Sequence, residues 1–110
     1  MNQVERRLIG IGHAADGRDW SGLFDRGIRA IVQLAIEEPP IQPPREVILY
    51  RFPLVDGEGN DPALLRLAIE SVAALIRAKL PALVCCGGGM SRSPAIVAAA
   101  VSCVEEIDVH

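Results

Sequence analysis

Eleven consecutive residues, Val84-Cys-Cys-Gly-Gly-Gly-Met-Ser-Arg-Ser-Pro94, concentrate the chemistry of this chain. An apolar run ends at Cys86, glycines fill positions 87 to 89, and Arg92 stands six positions beyond Cys86, ahead of a helix-compatible run. That layout reads as a strand, a tight loop and a helix N-terminus. Such a loop turns several backbone N–H groups into one concavity that receives a phosphate or another oxyanion. Gly87, Gly88 and Gly89 permit positive φ and close approach of the anion, with Met90 and Ser91 completing the cup. The planar fork of Arg92 suits two anionic oxygens at once. The helix dipole, the loop amides and Arg92 all favour a thiolate at Cys86, so its pKa is expected below the reference of roughly 8.5. A thiolate facing a bound phosphorus is a nucleophile for phosphoryl transfer. Taken singly, a strand-end cysteine is a small hydrophobe and a glycine run is a flexible turn. The joint spacing C-x-x-G-x-x-R-S favours the chemical reading.

Transfer to a thiolate also calls for a proton donor on the leaving oxygen, and later for a base that activates water. Asp56 is the candidate for both, because Phe52-Pro-Leu-Val-Asp-Gly-Glu-Gly-Asn60 follows an apolar run and leaves the same end of the sheet as the Cys86 loop. Asp56-Gly57 is also an ordinary turn dipeptide. Glu58 and Asp61 are weaker candidates, Asp61 being better explained as a helix cap. Ser93 reads as the N-cap of the last helix. No His, Cys and Asp spacing suggests a metal site, and the chemistry needs no metal or other cofactor.

Four apolar runs position these groups: Arg7 to Gly12, Ala30 to Ala35, Val47 to Leu54 and Ala82 to Cys86. The second and fourth are nearly unbroken, as in strands covered on both faces. Ser21 to Gly27 holds one or two helical turns with Gly27 as C-cap. Glu37 to Arg45 carries four prolines and reads as a loop. Asp61-Pro62 opens a helix that runs to Lys79 with Leu64, Leu65, Ala68, Ile69, Val72, Leu75 and Ile76 on one face, and Pro81 stops it. Ser93-Pro94 opens another, whose apolar face holds Ile96, Val97, Ala100, Val101 and Val104. Strands alternating with helices predict an α/β fold in three layers, a central, mostly parallel sheet of four to five strands flanked by helices. The Cys86 loop then lies at the carboxyl end of a strand, where open α/β sheets bind ligands.

The chain has 110 residues, enough for one domain spanning 1–110. A net charge of −3 argues against nucleic acid or an anionic membrane as partner. No apolar run has the length of a membrane span, and the N-terminus lacks a signal-peptide core. Three cysteines, two of them adjacent, make no disulfide framework, and a nucleophilic thiol suits a reducing cytoplasm. Cys85 reads as a buried packing residue, or alternatively as a thiol that resolves oxidised Cys86. His13 reads as a surface or capping residue, Trp20 and Phe24 as core anchors of the first short helix. Arg6, Arg7 and Arg18 read as solvated, and His110 as a terminal residue.

The segment from Cys86 to Ser93 resembles the signature loop of the cysteine-based protein tyrosine phosphatases, most closely the dual-specificity branch with its pattern H-C-x-x-G-x-S-R-S. Cys86 matches the nucleophile, Gly89 the fixed glycine, Ser91 the residue before the arginine, Arg92 the phosphate clamp and Ser93 the following hydroxyl. Cys85 departs from the pattern, standing where the family has a histidine that orients the loop and keeps the thiolate pKa low. The resemblance extends upstream through Leu8 to His13, Leu23 to Ile28 and Ile31 to Leu34, and covers most of residues 6 to 104. It implies hydrolysis of phosphotyrosine and phosphoserine or phosphothreonine through a phosphocysteine. Asp56 then acts as general acid and base, thirty residues before the nucleophile, and Ser93 assists departure of the thiolate. The family usually adds helices beyond the one after the loop. This chain is short there, so a second copy covering the last helix is one expectation. Two other readings stand beside this one: a non-catalytic phosphate-binding module, and a sulfur-transfer domain of the rhodanese kind, which also places a reactive cysteine before a helix. Arg92 followed by Ser93, with Asp56 upstream, fits the phosphatase pattern better.

Overall fold

The computed structural model describes residues 2–4, 9–13, 20–87 and 92–108, with the side chains at 2–4, 13, 20, 21, 24 and 106–108 outside the description. The strands are β1 (Asn2–Val4), β2 (Ile9–His13), β3 (Ala30–Ala35), β4 (Ile48–Leu54) and β5 (Ala82–Cys86), and the helices α1 (Trp20–Asp25), α2 (Pro62–Arg77) and α3 (Arg92–Asp108). They form one sheet in the order β1-β2-β5-β3-β4. β2, β5, β3 and β4 run parallel, and β1 adds to the margin antiparallel to β2.

Unbroken apolar runs take the centre. All six residues of β3 and all five of β5 are buried, so each strand is covered on both faces. On one face Ile9, Val32, Leu34, Phe52, Leu54, Val84 and Cys86 meet Val72, Leu75 and Ile76 of α2 and Ile96, Val97 and Ala100 of α3. On the other, Ile31, Leu83 and Cys85 pack with Leu23 of α1, Ile28, Ile41 and Val47. The result is the expected three-layer α/β arrangement with its mostly parallel five-stranded sheet.

The capping signals of α1 and α2 act as read, although α2 ends at Arg77 rather than at Lys79. Asp61 caps α2, its Oδ1 accepting the Ala63 N–H at 2.9 Å, with Pro62 at the first helical position. Gly27 takes φ +81° after α1, closed by Ile28 N–H donating to the Leu23 carbonyl at 3.0 Å. Lys79 adopts φ +59° after α2, a conformation usually left to glycine, and Leu80 N–H reaches back to the Leu75 carbonyl at 3.1 Å.

Three expectations change. The three-residue β1 has no period to betray it in the sequence and forms by backbone pairing along β2. The first expected strand is found from Ile9 and runs one residue further, to His13, while Arg7 and Leu8 lie outside the described residues. Helix α3 starts at Arg92, so Ser93 sits inside its first turn and is not the cap. The core-anchor reading of Trp20 and Phe24 falls on side chains outside the description, as does the reading of His13. Arg6, Arg7, Arg18 and His110 also lie outside the described residues.

Candidate active site

Parallel pairing brings the functional segments to one end of the sheet. Cys86 closes β5, between the carboxyl ends of β2 and β3, and β4 delivers Leu54 beside Ala35. Cys86 is fully buried on the face shared with α2 and α3. Cys85, next to it, is fully buried on the opposite face with Ile31, Ile41 and Leu83. Alternation along a strand thus separates the two thiols and makes Cys85 a packing residue, against the resolving-thiol alternative. Gly88, Gly89, Met90 and Ser91, expected to line the phosphate cup, lie outside the described residues.

Arg92 is 7% exposed, and its donors are allotted with little left over. Nη1 donates to Glu37 Oε1 at 2.7 Å and to the Leu54 carbonyl at 2.9 Å, and Nη2 donates to Glu37 Oε2 at 2.5 Å. Glu37 therefore grips the far end of the guanidinium. Nε is buried and makes no hydrogen bond. Among the described residues this leaves, of five N–H donors, the one on Nε and the second on Nη2, which lie parallel along one edge of the plane. Such an edge has the geometry that takes two oxygens of one anion.

Sequence reasoning passed over Glu37, seeing only a proline-rich loop. A signal existed in its place: it follows β3 by two residues, at the same sheet end as Cys86. The turn that carries it is held from below. Gln33, buried on β3, donates from Nε2 to the Pro39 carbonyl at 2.8 Å and accepts the Ile41 N–H through Oε1 at 3.0 Å. Arg51 Nη2 lies 3.5 and 3.4 Å from the carbonyls of Ile36 and Glu38, and Ile36 N–H donates to the Leu54 carbonyl that Arg92 also uses. The hydrogen bonds from Arg92 hold the Glu37 carboxyl down at about 2. Reciprocally, Glu37 raises the pKa of Arg92 above its ordinary value through those bonds, burial opposes, and the charges of Glu37, Cys86 and Asp56 add to the rise. Cys86 and Asp56 therefore lie within electrostatic reach of the guanidinium. Gly87 completes the fit, since a Cβ there would collide with Glu37 Oε2 and stand 3.0 Å from Arg92 Nη2.

Asp56 is exposed on the loop that leaves β4. Asn60 clasps that loop, its Oδ1 accepting the Val55 N–H and its Nδ2 donating to the Val55 carbonyl, both at 2.9 Å. Gly57 and Gly59 supply the positive φ angles of the bend, +89° and +98°. Asp56, Gly57 and Asn60 face Arg92 across a cleft of about 370 Å³ whose other walls are Leu54, Val55, Leu65, Ala95 and Ile96. Ser93 is fully buried and its Oγ has no hydrogen-bond partner, the capping role having gone with the helix start. Among the described residues no group of three metal-ligating side chains is assembled, and no helix is long and apolar enough to cross a membrane.

No protein-family model matches the chain, and no curated protein matches it by sequence. Solved structures do. The human phosphatase DUSP28 aligns with a TM-score of 0.77 at 26% identity, over 91% of this chain and 70% of that one. A mouse protein described as a dual specificity phosphatase, complexed with zinc tungstate, aligns at 0.73 and 27% identity, over 86% of this chain and 60% of that one. OH1 from the Orf virus, a tyrosine phosphatase with triple substrate specificity, shares the fold at 0.70 and 21% identity, over 90% of this chain and 58% of that one. The chain carries the dual-specificity-phosphatase-like fold of the cysteine-based protein tyrosine phosphatase superfamily.

Proposed function

We propose that residues 1–110 act as one small phosphatase domain that hydrolyses phosphate monoesters, on protein or small-molecule carriers, through a phosphocysteine. The observation that carries the reading is a buried Arg92 whose Nε makes no hydrogen bond, lining the same cleft as Asp56 at the end of the strand that carries Cys86. Arg92 and the backbone of Gly87, Gly88, Gly89, Met90 and Ser91 receive the phosphate. The Cys86 thiolate attacks phosphorus and forms the S–P bond while the P–O bond to the leaving group breaks, and Asp56 gives that oxygen its proton. Water then attacks the phosphocysteine, Asp56 takes the water proton, and the S–P bond breaks to return the thiolate and release phosphate. Ser93 Oγ, buried without a partner, is the hydroxyl available to stabilise the departing thiolate. The thiol chemistry suits a reducing cytoplasm. A non-catalytic phosphate-binding module would need Arg92 but neither the thiol nor the acid.

Hydrolysis of a small aryl phosphate between pH 5 and 8 tests the reading. Turnover that Cys86→Ser abolishes is the expected result. No turnover by the wild-type chain, with vanadate still bound, overturns the enzyme and leaves the binding module.

A further inference from the structure

The walls of the cleft are mostly hydrocarbon. Leu54 at the end of β4, Val55 just after it, Leu65 from α2, and Ala95 and Ile96 from α3 line it beside Arg92. Among the described residues that line it, Arg92 is the one cation, and Glu37 already meets its charge. A second phosphate on the carrier would enter among aliphatic walls without a counter-charge, at a desolvation cost. An apolar group gains there instead, in proportion to the area it hides from water. Size adds a second constraint. An apolar cavity of about 150 Å³ accommodates one benzene ring, whereas this cleft measures about 370 Å³. The ring that bears an aryl ester fills less than half of it, so a second apolar group of similar size fits beside the first. The hydrocarbon surface also continues outward. Ala35 pairs with Leu54, and Ile36 N–H donates to the Leu54 carbonyl, which sets Ile36 alongside Val55. Both are exposed large apolar residues, Ile36 at 48% and Val55 at 36%.

We infer that the cleft is a two-group subsite, which takes the phosphoresidue and, beside it, a bulky aliphatic side chain from a flanking position of the same polypeptide. The inference rests on the phosphatase reading for the anion seat and adds what must stand next to the phosphoresidue. Val55 and Leu65 set the preference. Val55 belongs both to the cleft and to the exposed pair with Ile36, and Leu65 supplies the wall from the start of α2. A polypeptide suits this surface better than a single-chain lipid ester. Ile36 lies outside the cleft lining and offers a second, separate contact that a neighbouring side chain reaches. None of this selectivity uses charge, so it survives salt that screens ion pairs.

The test compares two phosphotyrosine peptides, identical except for Leu or Ser on both sides of the phosphoresidue, binding to the Cys86→Ser chain. The leucine peptide should bind about tenfold tighter, the effect of hiding roughly half of one leucine side chain from water. The preference should be no smaller in about 1 M salt. Val55→Thr and Leu65→Gln should each cut it to about threefold, with circular dichroism melts reporting that the variants fold. Val55 is exposed, so Val55→Thr still reads the cleft if Leu65→Gln unfolds. Ile48→Thr removes an exposed apolar side chain at the opposite end of β4 and should leave the preference intact. Equal binding, tighter binding of the serine peptide, no binding of either, or a preference untouched by the cleft variants overturns the inference. So does tighter binding of decyl phosphate than of the leucine peptide, which makes a lipid ester the occupant. Turnover of aryl phosphate by the wild-type chain reads the phosphatase separately. An apolar preference without turnover keeps this inference and removes that function, and turnover without the preference does the reverse.

Discussion

Two loops leave neighbouring strands at the same end of the sheet, and each brings a carboxylate toward Arg92. The turn after β3 is fastened to the sheet by Gln33 and Arg51, and its Glu37 is drawn into a two-point grip that holds its carboxyl at about 2. The loop after β4 is clasped by its own Asn60, and Asp56 stays exposed on the cleft wall. The first carboxylate is an anion at any working pH and can only orient the guanidinium. The second shares the cleft that a leaving group would enter. Support from below thus separates a fixed counter-ion from a candidate acid, although both are acidic residues just past a strand.

The largest break in that contrast should come from Asp56→Asn. Loss of the proton donor lowers kcat for an aryl phosphate by about a hundredfold or more and removes the pH dependence due to this group, read from kcat profiles. Glu37→Gln should cost about tenfold in kcat/KM through a misplaced guanidinium. The shape of the pH profile stays as in the wild type, because Glu37 exchanges no proton in turnover. Acid unfolding of the same variant sharpens the point. The Glu37 carboxyl is lowered from 4.5 to about 2, so its contribution is present above 4.5 and is lost as the pH falls toward 2. The wild type should lose stability over that window, and Glu37→Gln should show a flatter slope there by circular dichroism.

Smaller effects separate loop support from chemistry. Asn60→Ala removes the two hydrogen bonds of the Asp56 loop, costing about 1 kcal/mol in denaturant melts and lowering kcat more than it changes the affinity for vanadate. Lys79→Gly lies outside both loops. Relief of its left-handed backbone should raise stability by about 0.5–1 kcal/mol with kcat unchanged.

The elements that fold by local rules were legible in the sequence. Asp61-Pro62 announces α2, Gly27 ends α1, and the buried runs of β3 and β5 announce a parallel sheet covered on both faces. That end of the sheet was legible too, since Cys86 and Asp56 both follow apolar runs. What escaped depends on distant segments meeting. Glu37 reaches Arg92 across 55 positions, which no local pattern reports. Strand β1 is held by backbone pairing, which leaves no mark on residue type. The capping role given to Ser93 failed because the helix starts at Arg92, two residues before the Pro94 start that its Ser-Pro signal suggests. The resulting unpartnered hydroxyl beside Arg92 was not foreseeable from that signal.

The grip of Arg92 on Glu37 and on Leu54, 38 positions back, also ties the order of folding to competence. A chain with every helix formed but α3 undocked has no oriented guanidinium, because the groups that orient it belong to the ends of β3 and β4. On the proposed function, the binding edge therefore arises only with the last long-range contacts, and partly folded forms are blind to phosphate rather than weakly responsive. By linkage, an anion seated there slows the opening of α3 and of the β3–β4 margin together. Hydrogen exchange in both segments then reports a ligand that touches neither along most of its length.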